Sequence, residues 1–194
     1  LQAQAPTCPP GDETQRVARL TGLPHADPHS KHVYLAGAIE YSPDGGKAWR
    51  RDLADFIRNE LGLAVFDPCV NEVSLLTEDE KEGFREWKRA DRDRFLPVIR
   101  RIIDYDIRQL LECTSLVVCY WDEHVSRGAG TAGELTLAYR HGIPVYLVLG
   151  VPADSLSSWA AGCATEVFAS FDDLRARMLA LHRLHVLVET ADRG

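Results

Sequence analysis

Ser115-Leu-Val-Val-Cys-Tyr-Trp121, Ser126-Arg-Gly-Ala-Gly-Thr-Ala-Gly-Glu134 and Ile143-Pro-Val-Tyr-Leu-Val-Leu149 follow one another with short connections. The outer two runs are apolar and β-branched, and they read as buried strands. The middle run is a glycine-rich turn that opens a helical segment, Thr131 to His141, with Gly142 at its C-terminus. Strand, turn, helix, strand is the unit of a parallel α/β sheet, in which ligands bind beyond the carboxyl ends of the strands. Glycines in such a turn let a ligand approach the backbone closely.

Upstream, His32-Val-Tyr-Leu-Ala-Gly-Ala-Ile39 reads as a first buried strand and Glu40 to Gly46 as a turn. Lys47 to Leu61 reads as a helix. Trp49, Leu53, Phe56, Ile57 and Leu61 recur at helical spacing, Arg50, Arg51, Asp55 and Arg58 fall between them, and Gly62 ends it. Leu63 to Asp67 is a second strand stopped by Pro68. Thr77-Glu-Asp-Glu80 has the pattern of a capping box and starts a charged helix to about Arg94. The helix over Arg92 to Ile103 is expected to break near Pro97, with Asp104 to Cys113 a separate short helix. Residues 70–103 exceed an ordinary strand-to-helix connection. They are expected to form a helical insertion over the active-site side or a surface for another subunit.

Downstream, residues 150–162 read as loop, 164–169 as a short fifth strand and Phe171 to Val188 as an amphipathic closing helix. This order implies a doubly wound parallel sheet of about five strands, three layers deep, in one domain over residues 31–194. Residues 1–30, rich in Pro, Gly, Asp and His, are expected to be flexible, with a short helix at Gln15 to Leu20.

The chain has 194 residues, 45% hydrophobic and 26% charged, with net charge −7. Such an acidic protein has no general attraction for polymeric nucleic acid or an anionic membrane. Leu1 to Pro10 lacks the basic and apolar regions of a signal peptide. Its five cysteines are scattered and without a C-x-x-C pair, so they are expected to be reduced, in a cytoplasmic protein. His25, His29 and His32 lie on a segment that gives no coordination geometry, so no metal is expected there. No P-loop pattern occurs, and the first strand is not followed by G-x-G-x-x-G.

Thr131-Ala-Gly-Glu134 is itself a possible capping box, which would make Glu134 a structural residue. Three features favour chemistry. The pattern follows a Gly-x-Gly turn after an apolar strand, a helix N-terminus favours an ionised carboxylate, and Asp106 lies on the helix leading into the same strand. Two neighbouring carboxylates suit glycosidic chemistry, one attacking the anomeric carbon and the other orienting the sugar.

Val33-Tyr-Leu-Ala-Gly-Ala38, Asp106-Ile-Arg-Gln-Leu-Leu-Glu-Cys113, Gly130-Thr-Ala-Gly-Glu-Leu-Thr-Leu-Ala138 and Gly142-Ile-Pro-Val145 together resemble the nucleoside 2-deoxyribosyltransferase family. The resemblance spans about residues 32–150. It implies a flavodoxin-like fold, cleavage or transfer at the N-glycosidic bond of a (deoxy)nucleoside or nucleotide, no metal or redox cofactor, and a homo-oligomer. Glu134 matches the family's nucleophile. Asp106 matches the aspartate that positions sugar and glutamate, and Tyr34, set at the end of the first strand, matches an active-site tyrosine. Gly37 and Ala38 end the first motif and are expected to meet substrate.

Family transferases carry an aspartate six residues before the glutamate, and here that position is Gly128. Related nucleotide N-glycosidases lack it too and bind a 5′-phosphate at this turn. Ser126, Arg127 and the amides of Gly128 to Gly130 are candidates for that role, with Thr131 beside them. Asp122 or Glu123 is a candidate proton donor. Two alternatives stay open. One is a phosphoribohydrolase-like enzyme releasing free base, although its Pro-Gly-Gly start is absent here; the other is a non-catalytic nucleotide sensor.

Overall fold

The computed structural model describes residues 31–191, so the helix expected at Gln15 to Leu20 lies outside the described residues. Five strands form one parallel sheet in the order β2-β1-β3-β4-β5. They are β1 (His32–Gly37), β2 (Val65–Phe66), β3 (Thr114–Trp121), β4 (Val145–Leu149) and β5 (Glu166–Phe168). The sheet is flanked by helices on both faces, which is a three-layer, flavodoxin-like α/β fold. Chain order reverses between β1 and β3, so the crevice beyond these two strands is the ligand-binding switch point of the fold.

Each face buries its own core. Val33 and Leu35 of β1, with Leu116 and Val118 of β3, pack on Leu53, Ile57 and Leu61 of α1 (Lys47–Leu61) and on Leu174 and Met178 of α7 (Phe171–Ala191). Alternate residues, Tyr34, Ala36, Val117 and Cys119, face the other way. They pack on Leu110 of α4 (Arg92–Cys113), on Leu135 and Ala138 of α5 (Gly130–Arg140), and on Ala160 of α6 (Ser158–Cys163). Strand alternation thus decides that Tyr34 points into the layer that carries Asp106 and Glu134.

Helix α1 has the expected bounds, and Gly62 closes it at φ 64°. Three expectations need correction. Residues 92–113 form one helix rather than two, with Pro97 inside it; the chain breaks earlier, at Asp91, whose φ of −150° separates α3 (Glu78–Ala90), which follows the short α2 (Pro68–Asn71), from α4. Pro97 is the sixth residue of α4, and the helix continues through it because Phe95, Val98 and Ile102 bury a face against Phe84 and Trp87 of α3. The stretch 150–162, expected to be loop, contains a helical turn (Ala153–Ser155) and most of α6. Arg50, which helical spacing places among polar positions, is fully buried, at 0% exposure.

Arg50 governs the end of β1. Its Nη2 donates to the Gly37 carbonyl at 2.8 Å, its Nη1 to Gly46 at 2.9 Å and Ala38 at 3.3 Å, and its Nε to Leu35 at 3.2 Å. Gly46 has φ 70°, and a Cβ there would collide with Nη1 of Arg50 and the Ala38 carbonyl. Gly62 is equally left-handed but has open space around its Cα. Gly62→Ala is therefore expected to cost about 1 kcal/mol from backbone strain alone. Gly46→Ala should cost at least about 1 kcal/mol more, because steric overlap adds to the strain. Urea denaturation of both variants checks the difference, and equal losses would rule out the clamp as the reason for glycine at position 46.

Candidate active site

The site is built where β1 and β3 end. A cavity of about 480 Å³ is lined by Gly37 and Ala38 after β1, by residues of the turn after β3 (His124, Val125, Gly128), by the start of α5 through Glu134, and by Asp106 of α4. Phe84 and Arg85 of α3 and Ile99, Ile102, Ile103 and Ile107 of α4 form much of the facing wall. The long connection between β2 and β3 thus supplies an apolar wall of the cavity.

The Tyr34 hydroxyl donates to Oε1 of Glu134 at 2.7 Å. The two residues are a hundred positions apart, and their hydrogen bond joins α5 to β1. Tyr34 is the third residue of β1, not its end, and its ring is 0% exposed, stacked 5.1 Å from Phe66. Glu134 is the fifth residue of α5, one turn beyond the helix start, which carries its carboxyl inward from the turn.

The two Thr-x-x-Glu patterns of the sequence part company here. Thr77 and Glu80 form a complete capping box, at 2.9 and 3.3 Å. Thr131 and Glu134 do not: α5 starts earlier, its N-cap is Ala129, and no side chain caps it. Glu134 is released from the capping role and bonds to Tyr34 instead. The uncapped amides at the start of α5 belong to residues lining the cavity.

Burial pushes the Glu134 carboxyl above its ordinary range, while the Tyr34 hydrogen bond and the Arg50 charge pull it down. Burial also pushes the Tyr34 hydroxyl well up, reinforced by the negative charges of Glu134 and Asp106. Tyr34 therefore stays a neutral donor to a carboxylate, the arrangement that holds one carboxylate oxygen and leaves the other available.

Other expected site residues divide. Gly37, Ala38, Asp106, Gly128, Gly130 and Thr131 line the cavity with Glu134. Asp122 does not; its Oδ1 accepts from the amides of His124 at 3.0 Å and Val125 at 3.2 Å, shaping the turn. Ser126 donates to the Glu123 carbonyl at 3.2 Å. Arg127 lies over the Tyr41 ring, 4.8 Å from its centre, and reaches the cavity only through Tyr41, which lines it. Asp106 lies fifteenth in α4, well inside a long helix rather than at the start of a short one.

The isoleucine wall is absent from the expected site. Its signal was present, since Ile99, Ile102, Ile103, Asp106 and Ile107 share one helical stripe. The expected break at Pro97 and the separate helix from Asp104 divided that stripe. Lys88 of α3 donates to Glu40 at 2.7 Å and ties the wall to the loop after β1. Among the described residues, no cluster of three or more His, Cys, Asp or Glu could hold a metal ion. Cys69, Cys113, Cys119 and Cys163 are thiols and not part of any disulfide among the described residues. No described helix is long and apolar enough to cross a membrane.

No family model matches the chain, and no curated protein does. Among solved structures the chain is similar to a 2-deoxyribosyltransferase from the psychrotolerant bacterium Bacillus psychrosaccharolyticus, at TM-score 0.56 and 17% identity. The match covers 74% of this chain and 90% of that one. The two share a fold.

Charge at Glu134 leaves a signature in stability. Between the ordinary carboxyl value of 4.5 and the raised one, the folded protein holds a proton that the unfolded chain has released. Stability contributed by this group therefore falls as pH rises through that window. Glu134→Gln removes the dependence and can still accept from Tyr34. Its melting temperature is expected to exceed that of the wild type at about pH 7, with the gain vanishing near pH 4. Thermal unfolding at both pH values checks this; an equal shift at both would assign the effect to packing.

Proposed function

We propose that this protein is a nucleoside 2-deoxyribosyltransferase-like enzyme that cleaves or transfers at the N-glycosidic bond of a (deoxy)nucleoside or nucleotide through a covalent glycosyl-Glu134 intermediate. The observation that carries the reading is the Tyr34–Glu134 hydrogen bond of 2.7 Å in the wall of an apolar cavity at the switch point of the sheet. The shared fold with a 2-deoxyribosyltransferase supports it.

In this mechanism Tyr34 holds Oε1 of Glu134, and Oε2 attacks C1′ of the sugar. The C1′–N bond breaks, its electron pair leaves with the base, and an ester joins C1′ to the enzyme. Water or a second base then attacks C1′, the carboxylate departs with the ester's electron pair, and the incoming group's proton is lost to solvent or the displaced base. Asp106, in the same cavity, positions the sugar hydroxyls. The isoleucine wall takes the flat, apolar face of the base, and exclusion of water there strengthens the electrostatic contacts.

A second reading, a nucleoside 5′-monophosphate N-glycosidase releasing free base, is favoured by two features. Gly128 stands where the resembling transferases have aspartate, and the uncapped start of α5 lines the cavity, where backbone amides suit a phosphate.

Deoxynucleosides and nucleoside 5′-monophosphates, incubated with and without a second free base and followed by chromatography, distinguish the readings. A new nucleoside marks transfer, and free base alone marks hydrolysis. Absence of turnover with every substrate would favour a sensor. Glu134→Ala is expected to abolish turnover while the protein stays folded. Tyr34→Phe should lower kcat by roughly 10- to 100-fold, the loss of one hydrogen bond to a charged group. Full activity in Glu134→Ala would remove the nucleophile assignment.

A further inference from the structure

A base that departs with the C1′–N electron pair leaves more readily when a proton reaches one of its ring nitrogens. Asp122 and Glu123, the donors expected from sequence, do not line the cavity, but the next residue, His124, does. Its side chain is 23% exposed, mostly withdrawn from bulk water. Its backbone is constrained on both sides. Oδ1 of Asp122 accepts from the His124 and Val125 amides at 3.0 and 3.2 Å, the His124 carbonyl accepts from the Arg127 amide at 3.2 Å, and Val125 is buried. The imidazole is thus carried on a fixed turn at the cavity wall, as a proton donor requires. A carboxylate oxygen of the exposed Glu123 lies 3.6 Å from its Nε2, so the protonated ring has a counter-ion on the solvent side.

The other ionisable groups around the cavity are Glu40 and Tyr41 from the loop after β1, Arg85 of α3, Asp106 of α4 and Glu134 of α5. Asp122, Glu123 and Arg127 share the turn with His124. Glu40 accepts from Lys88 at 2.7 Å, and Glu134 is held by Tyr34 at 2.7 Å. Carboxyls of ordinary strength have lost their proton at neutral pH, while phenols and guanidiniums keep theirs. Imidazole is the side chain that both gives and regains a proton there. Among the described residues His124 is the only histidine lining the cavity. Gly128, where the resembling transferases have aspartate, offers no acid of its own.

We propose that His124 is the general acid of the reaction, giving a ring proton to the departing base. This rests on the reading of Glu134 as the nucleophile. As Oε2 of Glu134 bonds to C1′, the C1′–N bond breaks and its electron pair passes to the base, which takes the proton at a ring nitrogen. The base leaves neutral, and His124 is left as neutral imidazole. The water or second base that later attacks C1′ loses one proton, which restores the imidazolium directly or through solvent.

Leaving-group dependence tests the proposal. A 7-methylguanine substrate is already cationic and releases a neutral base without an added proton, and 5-fluorouracil leaves as a comparatively stable anion, whereas guanine and uracil need the acid. Deoxynucleosides and nucleoside 5′-monophosphates of each pair are assayed with wild type and His124→Gln. The variant should lower kcat/KM by about 100-fold or more for guanine or uracil substrates and scarcely at all for their activated counterparts. The ratio is read within one sample, so it does not depend on how much of the variant is folded. In the wild type kcat/KM should fall as pH rises through the imidazole ionisation, because only the protonated ring gives a proton, and this limb should be absent from His124→Gln. Equal losses within each pair, or undiminished activity, overturn the proposal and leave His124 a residue of the turn, while Glu134→Ala still decides the nucleophile. A wild type that turns over none of these substrates removes the reaction, and the acid with it.

Discussion

A buried guanidinium cannot be left half satisfied. Removing Arg50 from water costs several kcal/mol unless its donors find partners. The chain meets that demand with the carbonyls of Leu35, Gly37, Ala38 and Gly46. Hydrogen bonds from a charged donor contribute about 1.5–3 kcal/mol each, enough together to offset the burial. The demand shapes everything near it. The loop after β1 turns back so that Ala38 and Gly46 face one side chain, and Gly46 has no Cβ because the space is taken. Tyr34 is placed by the same strand, and its hydroxyl donates to Glu134.

The site that results sets burial against charge. Glu134 is destabilised in its ionised form by burial and rescued by Tyr34 and Arg50. A carboxylate in that condition is poorly solvated, hydrogen-bonded on one oxygen and open on the other, as a nucleophile at an anomeric carbon requires. The α3–α4 hairpin adds the dry wall. Its own small core of Phe84, Val98 and Ile102 keeps the two helices together, while Arg94 of α4 packs its guanidinium 3.7 Å from the centre of the Trp87 ring on α3. An otherwise charged segment thereby presents a row of isoleucines to the cavity.

Much of the fold was legible locally. The strands at β1 and β3, helix α1 with Gly62 behind it, and the Thr77–Glu80 cap follow from periodicity and turn chemistry, which act over a few residues. Glu134 and Asp106 could be singled out because a glycine turn after an apolar strand has few uses. Arg50 was illegible, and the isoleucine stripe was divided by an expected break, for the opposite reason. Helical spacing marks Arg50 as polar, and only the carbonyls of β1, the loop after it and the N-cap Gly46 make its burial possible. Pro97 signals a break that packing against α3 overrides.

By itself, then, the sequence determined the alternation of strand and helix, the parallel sheet, the glycine turn and the choice of Glu134 as the residue to examine. Each of these rests on side-chain size, polarity and backbone freedom within a short window. Tertiary structure alone decided what Glu134 does. The pattern Thr-x-x-Glu occurs twice, and both copies are equally good caps on paper. At Thr77 the helix begins where the pattern says. At Thr131 it begins earlier, the cap is not formed, and a tyrosine from β1 takes the carboxylate. A hydrogen bond across a hundred residues depends on how two layers pack, and no local property of the turn encodes it.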